Sequence, residues 1–352
     1  MRRRFRAFRA GLRERVSCWE PLECGSTNGL WKGESASGAW LLKWYRYPTP
    51  GLHPEVEVAE HLSRLEGAAV PAYGGRLDEV LEGGGLSQTV AFVQRWVEGR
   101  SAWDWLLEVL RLGEVPVAAA RRWGGEIGRL HRLLAAGAPE SGFGVKAWEP
   151  AFSAAWAARV EGLGELLKQA ILEPKPEGLE MALWAEIRGV WLEKEPVWRA
   201  RARRLVALNF CGERSRIHGD LHLGQLMECA GGGTVVVDFE GEPMRALEER
   251  RIKDWPLRDV AGMWRSFAYA AAVSGVGARS AGLLQSAFVE GWREQLPWLE
   301  WGWEDAQEEL IWEKLIYETL YELRHRPDWV RVPWRDLAVS FCGKTVAPRG
   351  GA

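Results

Sequence analysis

The sequence predicts an α+β protein of two unequal lobes, a small β-rich lobe over residues 1–98 and a larger, mostly helical one over 99–352. Three observations predict it. Stretches that alternate apolar and polar residues, the two-residue period of a strand, cluster before residue 98. Beyond residue 101, apolar residues recur at three- and four-residue steps, as on the buried face of a helix. A chain of 352 residues is too long for one small core and short for three domains.

Taken in order, residues 1–16, MRRRFRAFRAGLRERV, set Arg against apolar residues at roughly helical spacing. An amphipathic helix packed on the first lobe is expected, and a signal peptide is not, because no apolar core follows. Residues 39–45 and 89–96 read as strands, with Gly83, Gly84 and Gly85 marking a turn before the second. Between them His53-Pro54-Glu55 opens a helix to about residue 65, with Pro in the first turn and carboxylates near the positive end of the helix dipole. In the second lobe Trp123, Ile127, Leu130 and Leu134 share one buried face. Further helices are expected over 151–167, 179–208, after Pro256 and over 308–325. A short apolar run, 234–237, reads as a strand that ends at Asp238.

Composition excludes several classes. A net charge of -2, with basic residues clustered only at 2–15, disfavours a nucleic-acid binder. The cysteines at 18, 24, 211, 229 and 342 form no C-x-x-C pair, so buried reduced thiols in a cytoplasmic protein are expected rather than a zinc site or disulfide framework. No apolar run is long enough to span a bilayer.

Chemistry concentrates in IHGDLHLGQ, 217–225, followed by VVVDFEGEP, 235–243. Phosphoryl transfer needs positioned phosphates, metal ions held by oxygen ligands, and an acceptor hydroxyl beside a base. Asp220 is the candidate base. Gln225 offers an amide oxygen, and Asp238, at the end of a buried strand, offers a carboxylate to the same magnesium ion. A lone H-x-D triplet would carry little weight. An amide at fixed spacing and an Asp directly after a Val run, in that order, carry much more.

H-G-D-x-x-x-x-Q with a strand-end Asp resembles the aminoglycoside phosphotransferase-like branch of the protein-kinase fold, and within it the maltokinase family. The likeness extends over LLKWYRYPTPGLHPEVEV (41–58), HGDLHLGQ (218–225), DFEGEPMRALEERRIKDWPLRDVAGMWRSFAYAA (238–271) and IYETLYELRHRPDWVRVP (316–333), most of the chain. It implies a bilobal kinase-like fold, ATP and magnesium as cofactors, and transfer of the γ-phosphoryl to a sugar hydroxyl. Maltose is the expected acceptor, with glucosamine or another mono- or disaccharide as the alternative. It also implies trehalose synthase and a maltosyltransferase as pathway partners.

The resemblance further implies that Lys43 binds the ATP phosphates and pairs with Glu57, with Glu55 and Glu60 as rivals. Ser26, Thr27 and Asn28 lie in the loop over the phosphates, and Gln94 and Trp96 in the hinge behind adenine. His218 supports the catalytic loop, and His222 either touches substrate or caps that loop. Glu240 is a candidate for a second metal or a sugar hydroxyl. Asp259 is expected to bond the loop backbone, with Arg258 steadying the same loop. Tyr321, Glu322, Arg326 and Trp329 are expected in the sugar pocket. His325 and Ala268 stand where the family usually has Asn and Asp. A catalytically dead kinase-like binding module would lack the lysine, the base or the metal carboxylate, and all three are present.

Overall fold

The computed structural model describes residues 4–10, 15–23, 28–48, 50–80, 87–138, 140–207, 212–296 and 303–341. The first lobe is built on a six-stranded antiparallel sheet. Its strands are β1 (Arg4–Ala10), β2 (Ser17–Pro21), β3 (Gly29–Ser35), β4 (Gly38–Trp44), β5 (Tyr73–Val80) and β6 (Ser87–Arg95), in the order β1-β5-β6-β4-β3-β2. The β3–β4 hairpin turns on two residues, and Gly38 takes φ 117°, which a side chain would oppose. Helix α1 (Pro54–Leu62) crosses between β4 and β5. His53 caps it, with Nδ1 accepting from Glu55 N. Tyr45, Val56 and Phe92 form a small core between this helix and the sheet.

Residues 4–10 are a strand, not the expected amphipathic helix. They pair antiparallel with β5, from Arg4 opposite Val80 to Ala10 opposite Gly75. An irregularity between Phe5 and Ala7 interrupts the register, so alternation is broken in the sequence and the local pattern mimics helical spacing. The backbone groups offered by the edge of β5 decide the outcome. The glycine turn at 83–85 lies outside the described residues.

The helical lobe opens with β7 (Gly99–Ser101), α2 (Ala102–Arg111) and α3 (Val117–Leu134). It continues through β8 (Lys146–Ala147), α4 (Pro150–Leu172), α5 (Met181–Glu193), α6 (Glu195–Arg204) and β9 (Glu213–Arg214), which pairs with β8. Strands β10 (Leu226–Cys229) and β11 (Thr234–Val236) form a hairpin joined to β7. Helices α7 (Leu257–Ser274), α8 (Ala278–Glu294), α9 (Trp303–His325) and α10 (Arg331–Ser340) complete it. The predicted face Trp123, Ile127, Leu130, Leu134 is fully buried in the main core. The single helix expected over 179–208 is two, broken at Lys194, because Pro196 in the first turn of α6 has no N–H to continue the ladder. Cys18 and Cys229 are free thiols, and Cys18 is exposed rather than buried. Among the described residues, no helix is long and apolar enough to cross a membrane.

Helices α3 and α8 touch through backbone. A Cβ on Gly124 would overlap the carbonyl oxygen of Phe288, and one on Gly291 would overlap that of Arg121. Gly124→Ala is therefore expected to force the helices apart and destabilise the protein by about 1–3 kcal/mol, read as a lower midpoint in urea unfolding. Gly162→Ala, where the added methyl meets open space, is the control.

Candidate active site

The loop 218–225 is tied to α7 by the Asp259 carboxylate and by the Ser266 hydroxyl, which accepts from Leu223 N at 3.1 Å. Asp259, buried in the first turn of that helix, accepts the backbone N–H of His218 at 2.8 Å through Oδ2 and that of Gly219 at 2.9 Å through Oδ1. His131 Nε2 lies 2.9 Å from Oδ2, while its Nδ1 accepts from Trp292 Nε1 at 2.9 Å. Because the indole can only donate, His131 carries its proton on Nε2 and donates it to Asp259. Burial alone would raise the Asp259 carboxyl, but the His131 and loop donors outweigh it and hold it below the usual carboxylate range. Gly262 brings α7 against the loop, since a Cβ there would meet the Leu221 carbonyl oxygen. His218 Nε2 pairs with Val237 O at 2.9 Å, tying the loop to the end of β11.

Across that junction stands Lys43, on β4. Its buried ammonium lies 3.0 Å from Glu55 Oε2 and 2.5 Å from Asp238 Oδ1, and also pairs with Glu240. Burial disfavours the charged ammonium, yet the three carboxylates overcome this and hold it protonated well above the ordinary lysine range. Asp238 takes φ 66°, the left-handed region, which Asp tolerates better than most side chains. Its other oxygen, Oδ2, accepts from Gln225 Nε2 at 3.1 Å. Burial opposes ionisation of Asp238, and Lys43 together with His218 and Gln225 keeps it ionised. Glu55, Asp238 and Glu240 each bring an oxygen within 4.8 Å of the others, three carboxylates around one ammonium.

On the far side of Asp220 a cavity of about 670 Å³ opens between α7 and α9. Asp220 and His222 form its floor, and Tyr269, Glu318, Tyr321 and Glu322 line its walls. Arg326 and Trp329 close the outer end, the guanidinium 5.4 Å from the indole centroid. Burial pushes Glu318 and Glu322 upward, while Arg265 and Arg326 respectively pull them back. Glu322 Oε2 is buried without a hydrogen-bond partner among the described residues.

The phosphotransferase enzyme family matches residues 19–298. The chain belongs to this family. A glucosamine kinase of Streptacidiphilus jiangxiensis is 28% identical over 338 residues, 88% of this phosphotransferase and 69% of that relative. A second, from Mycolicibacterium smegmatis, is 35% identical over 130 residues, 33% of this chain and 32% of the relative. A solved glucosamine kinase in complex with glucosamine, ADP and inorganic phosphate superposes with a TM-score of 0.69 at 23% identity, over 93% of this chain and 76% of that one. An amicoumacin kinase does so at 0.52 and 12% identity, over 94% and 90% of the two chains. These likenesses establish the kinase-like fold, a small antiparallel sheet lobe and a helical lobe.

In the phosphotransferase, Lys43, Asn28, Gln225, Asp238 and Glu240 converge, with Asn28 Nδ2 donating to Glu240 Oε1 at 2.8 Å. Ser26 and Thr27 lie outside the described residues. The helix carboxylate facing Lys43 is Glu55, not Glu57. Glu55, Val58 and Leu62 share the buried face of α1, whereas Glu57 projects toward Arg216, 3.0 Å away. Glu60 bonds Tyr73 and Arg76 instead. Arg258 does not hold the loop backbone directly. It bonds Asp254 Oδ2 and Glu313 Oε2, both at 2.7 Å. Gln94 pairs with Leu41, two residues along β4 from Lys43, and half-buried Trp96 stacks under Lys32 at 5.0 Å. His222 both caps its turn, accepting from Gly224 N at 3.0 Å, and lines the cavity. Lys314, Tyr269 and Trp103 line the cavity and were not singled out by sequence. Lys314 had a signal: it stands one helical turn before Glu318 on the same face of α9.

Two outcomes follow for this site. Asp259→Asn turns an amide toward backbone N–H donors and is expected to cost about 3 kcal/mol of stability in chemical unfolding, because charged hydrogen bonds to buried donors are lost. His53 is held down to about 3, from an ordinary 6.5, by burial and then by the Lys43, Arg250 and Arg251 cations. The unfolded chain therefore takes this proton first, so the stability His53 contributes is complete above pH 6.5 and declines as pH falls toward about 3. In His53→Asn, unfolding free energy measured between pH 7 and 4.5 should fall less steeply than in the parent.

Proposed function

We propose that this phosphotransferase moves the γ-phosphoryl group of ATP to a hydroxyl of an amino sugar, with glucosamine as the preferred acceptor. The observation that carries the reading is the place of Asp220. It borders a cavity of about 670 Å³, with aromatic walls and carboxylates, on one side and lies on the loop tied to the Lys43–Asp238 cluster on the other. In that arrangement Asp220 accepts the acceptor proton as the sugar oxygen bonds to phosphorus, and the bond to the bridging oxygen of ADP breaks. Lys43 would hold ATP phosphates, steadied by Glu55. Gln225, Asp238 and Glu240 would hold magnesium. Oxygen-only donors and three carboxylates around one ammonium leave a negative excess that suits a hard divalent cation. Bound there, magnesium would neutralise phosphate charge and orient the transferring group.

Maltose was the first acceptor expected from sequence. The Streptacidiphilus and Mycolicibacterium relatives are glucosamine kinases, and two features of the cavity favour an amine-bearing sugar. Glu318 and Glu322 are carboxylates whose burial is relieved by any cation an acceptor brings. Glu322 also retains a buried oxygen without a hydrogen bond, which an ammonium or hydroxyl would satisfy. The trehalose synthase and maltosyltransferase partners implied by a maltose acceptor recede with it. Tyr321 and Trp329 supply aromatic faces for a sugar ring of either kind.

The test is turnover with ATP and magnesium against glucosamine, glucose and maltose, with phosphorus NMR locating the new ester. Glucosamine should give the highest kcat/KM, chelation of magnesium should abolish turnover, and Asp220→Asn should lower kcat by about 10²–10⁴-fold. A higher kcat/KM for maltose would overturn the acceptor assignment.

A further inference from the structure

Lys314 is a half-buried cation to which the proposed reaction gives no role. It rises from α9 one turn before Glu318, and its ammonium lies 3.0 Å from Glu242 Oε1 and 3.7 Å from Asp220 Oδ1, with the Tyr317 ring 4.6 Å away. A lysine at such a place pays rotamer entropy and desolvation unless something holds it. Glu242, 5% exposed, is that anchor. It is itself gripped by Arg159 at 2.8 Å and Arg245 at 3.3 Å. Arg159 Nε also reaches Glu313 at 2.8 Å, whose other oxygen takes Arg258 at 2.7 Å. Charges therefore alternate through Asp254, Arg258, Glu313, Arg159, Glu242, Lys314 and Asp220, drawn from α4, α7, α9, the loop 218–225 and the segment between β11 and α7. The chain of pairs ends at the proposed base.

We propose that Lys314, fixed by Glu242, is the positioning residue for Asp220, and this rests on the reading of Asp220 as base. At 3.7 Å the ammonium is an ion-pair partner for Oδ1 rather than a close hydrogen-bond donor. It turns the carboxylate so that Oδ2 meets the acceptor hydroxyl. The proton passes from that hydroxyl to Asp220, the oxygen–phosphorus bond forms, the bond to ADP breaks, and Lys314 keeps its three protons throughout. The same cation gives the cavity a polarity. Positive charge stands beside the base, and the carboxylates of Glu318 and Glu322 stand farther along α9. An acceptor amine is thereby steered away from Asp220, and a hydroxyl is left to face it.

The experiment measures kcat and KM for ATP, magnesium and glucosamine in Lys314→Met, Lys314→Arg, Glu242→Gln, Asp220→Asn and the Lys314→Met/Asp220→Asn double variant. Lys314→Met should lower kcat by about 10- to 100-fold, as small misplacements of reacting groups do, with KM for ATP and magnesium within twofold. Lys314→Arg should regain part of the loss, and Glu242→Gln should lose kcat in the same direction. In the Asp220→Asn background Lys314→Met should cost nothing further, because both changes act through one group. Folded Lys314→Met or Glu242→Gln with unchanged kcat, or losses that add in the double variant, overturn the proposal while leaving Asp220 in its role. Should Lys314→Met fail to fold, Glu242→Gln and Lys314→Arg decide it by the same criteria. Unchanged turnover in Asp220→Asn would overturn the base assignment, and this inference with it.

Discussion

The structure depends on one buried ammonium between two lobes. Lys43 belongs to the sheet, and two of its three carboxylates, Asp238 and Glu240, belong to the segment after β11 in the helical lobe. The third, Glu55, is on α1. Each ion alone would be expensive to take out of water, by several kcal/mol. Together they make the burial tolerable, and the sheet lobe, α1 and the strand-end Asp can hold their relative places only while the set stays intact. Such a cluster is weak as a source of stability, since an apolar replacement of equal volume could do as well or better. In the proposed function its worth lies in charge placed beforehand where triphosphate and metal would sit.

The second constraint is geometric. Asp259, His131 and Trp292 form a chain of donors and acceptors that fixes two consecutive backbone N–H groups of the loop. Gly262 lets α7 lie directly on that loop. The backbone of Asp220 is thus held in place from α7, as a precise site on a loop requires. Lys314 adds lateral control from α9.

Much of this was legible in the sequence because the determinants are local. The spacing from His218 to Gln225, and a carboxylate directly after an apolar strand, are short-range facts, and the structure brings both to one junction. Glu55 was also within reach. It shares a three- and seven-residue spacing with Val58 and Leu62, and that buried face, rather than family position, separates it from Glu57. What was not legible is long-range. Residues 4–10 become a strand through pairing with 75–80, which no local pattern encodes. Glu242 and Lys314 are 72 positions apart, so their pairing exists only in the fold. Arg258 lies beside Asp259 in sequence, yet its direction around α7 sends it to Glu313 instead of the loop.

Asp238 has a φ of 66°, a backbone pose that costs most L-residues about 1 kcal/mol or more. Asn shares the tolerance of Asp for that pose, and Gly has no Cβ to oppose it. Mutational drift at this position is therefore channelled: a descendant that loses the carboxylate can become Asn or Gly at little backbone expense, whereas Val or Ile would burden the strand end as well as the charge pattern. In the proposed reading, a family member with Asn or Gly here would keep the fold and lose a metal carboxylate, and the substitution itself would mark it.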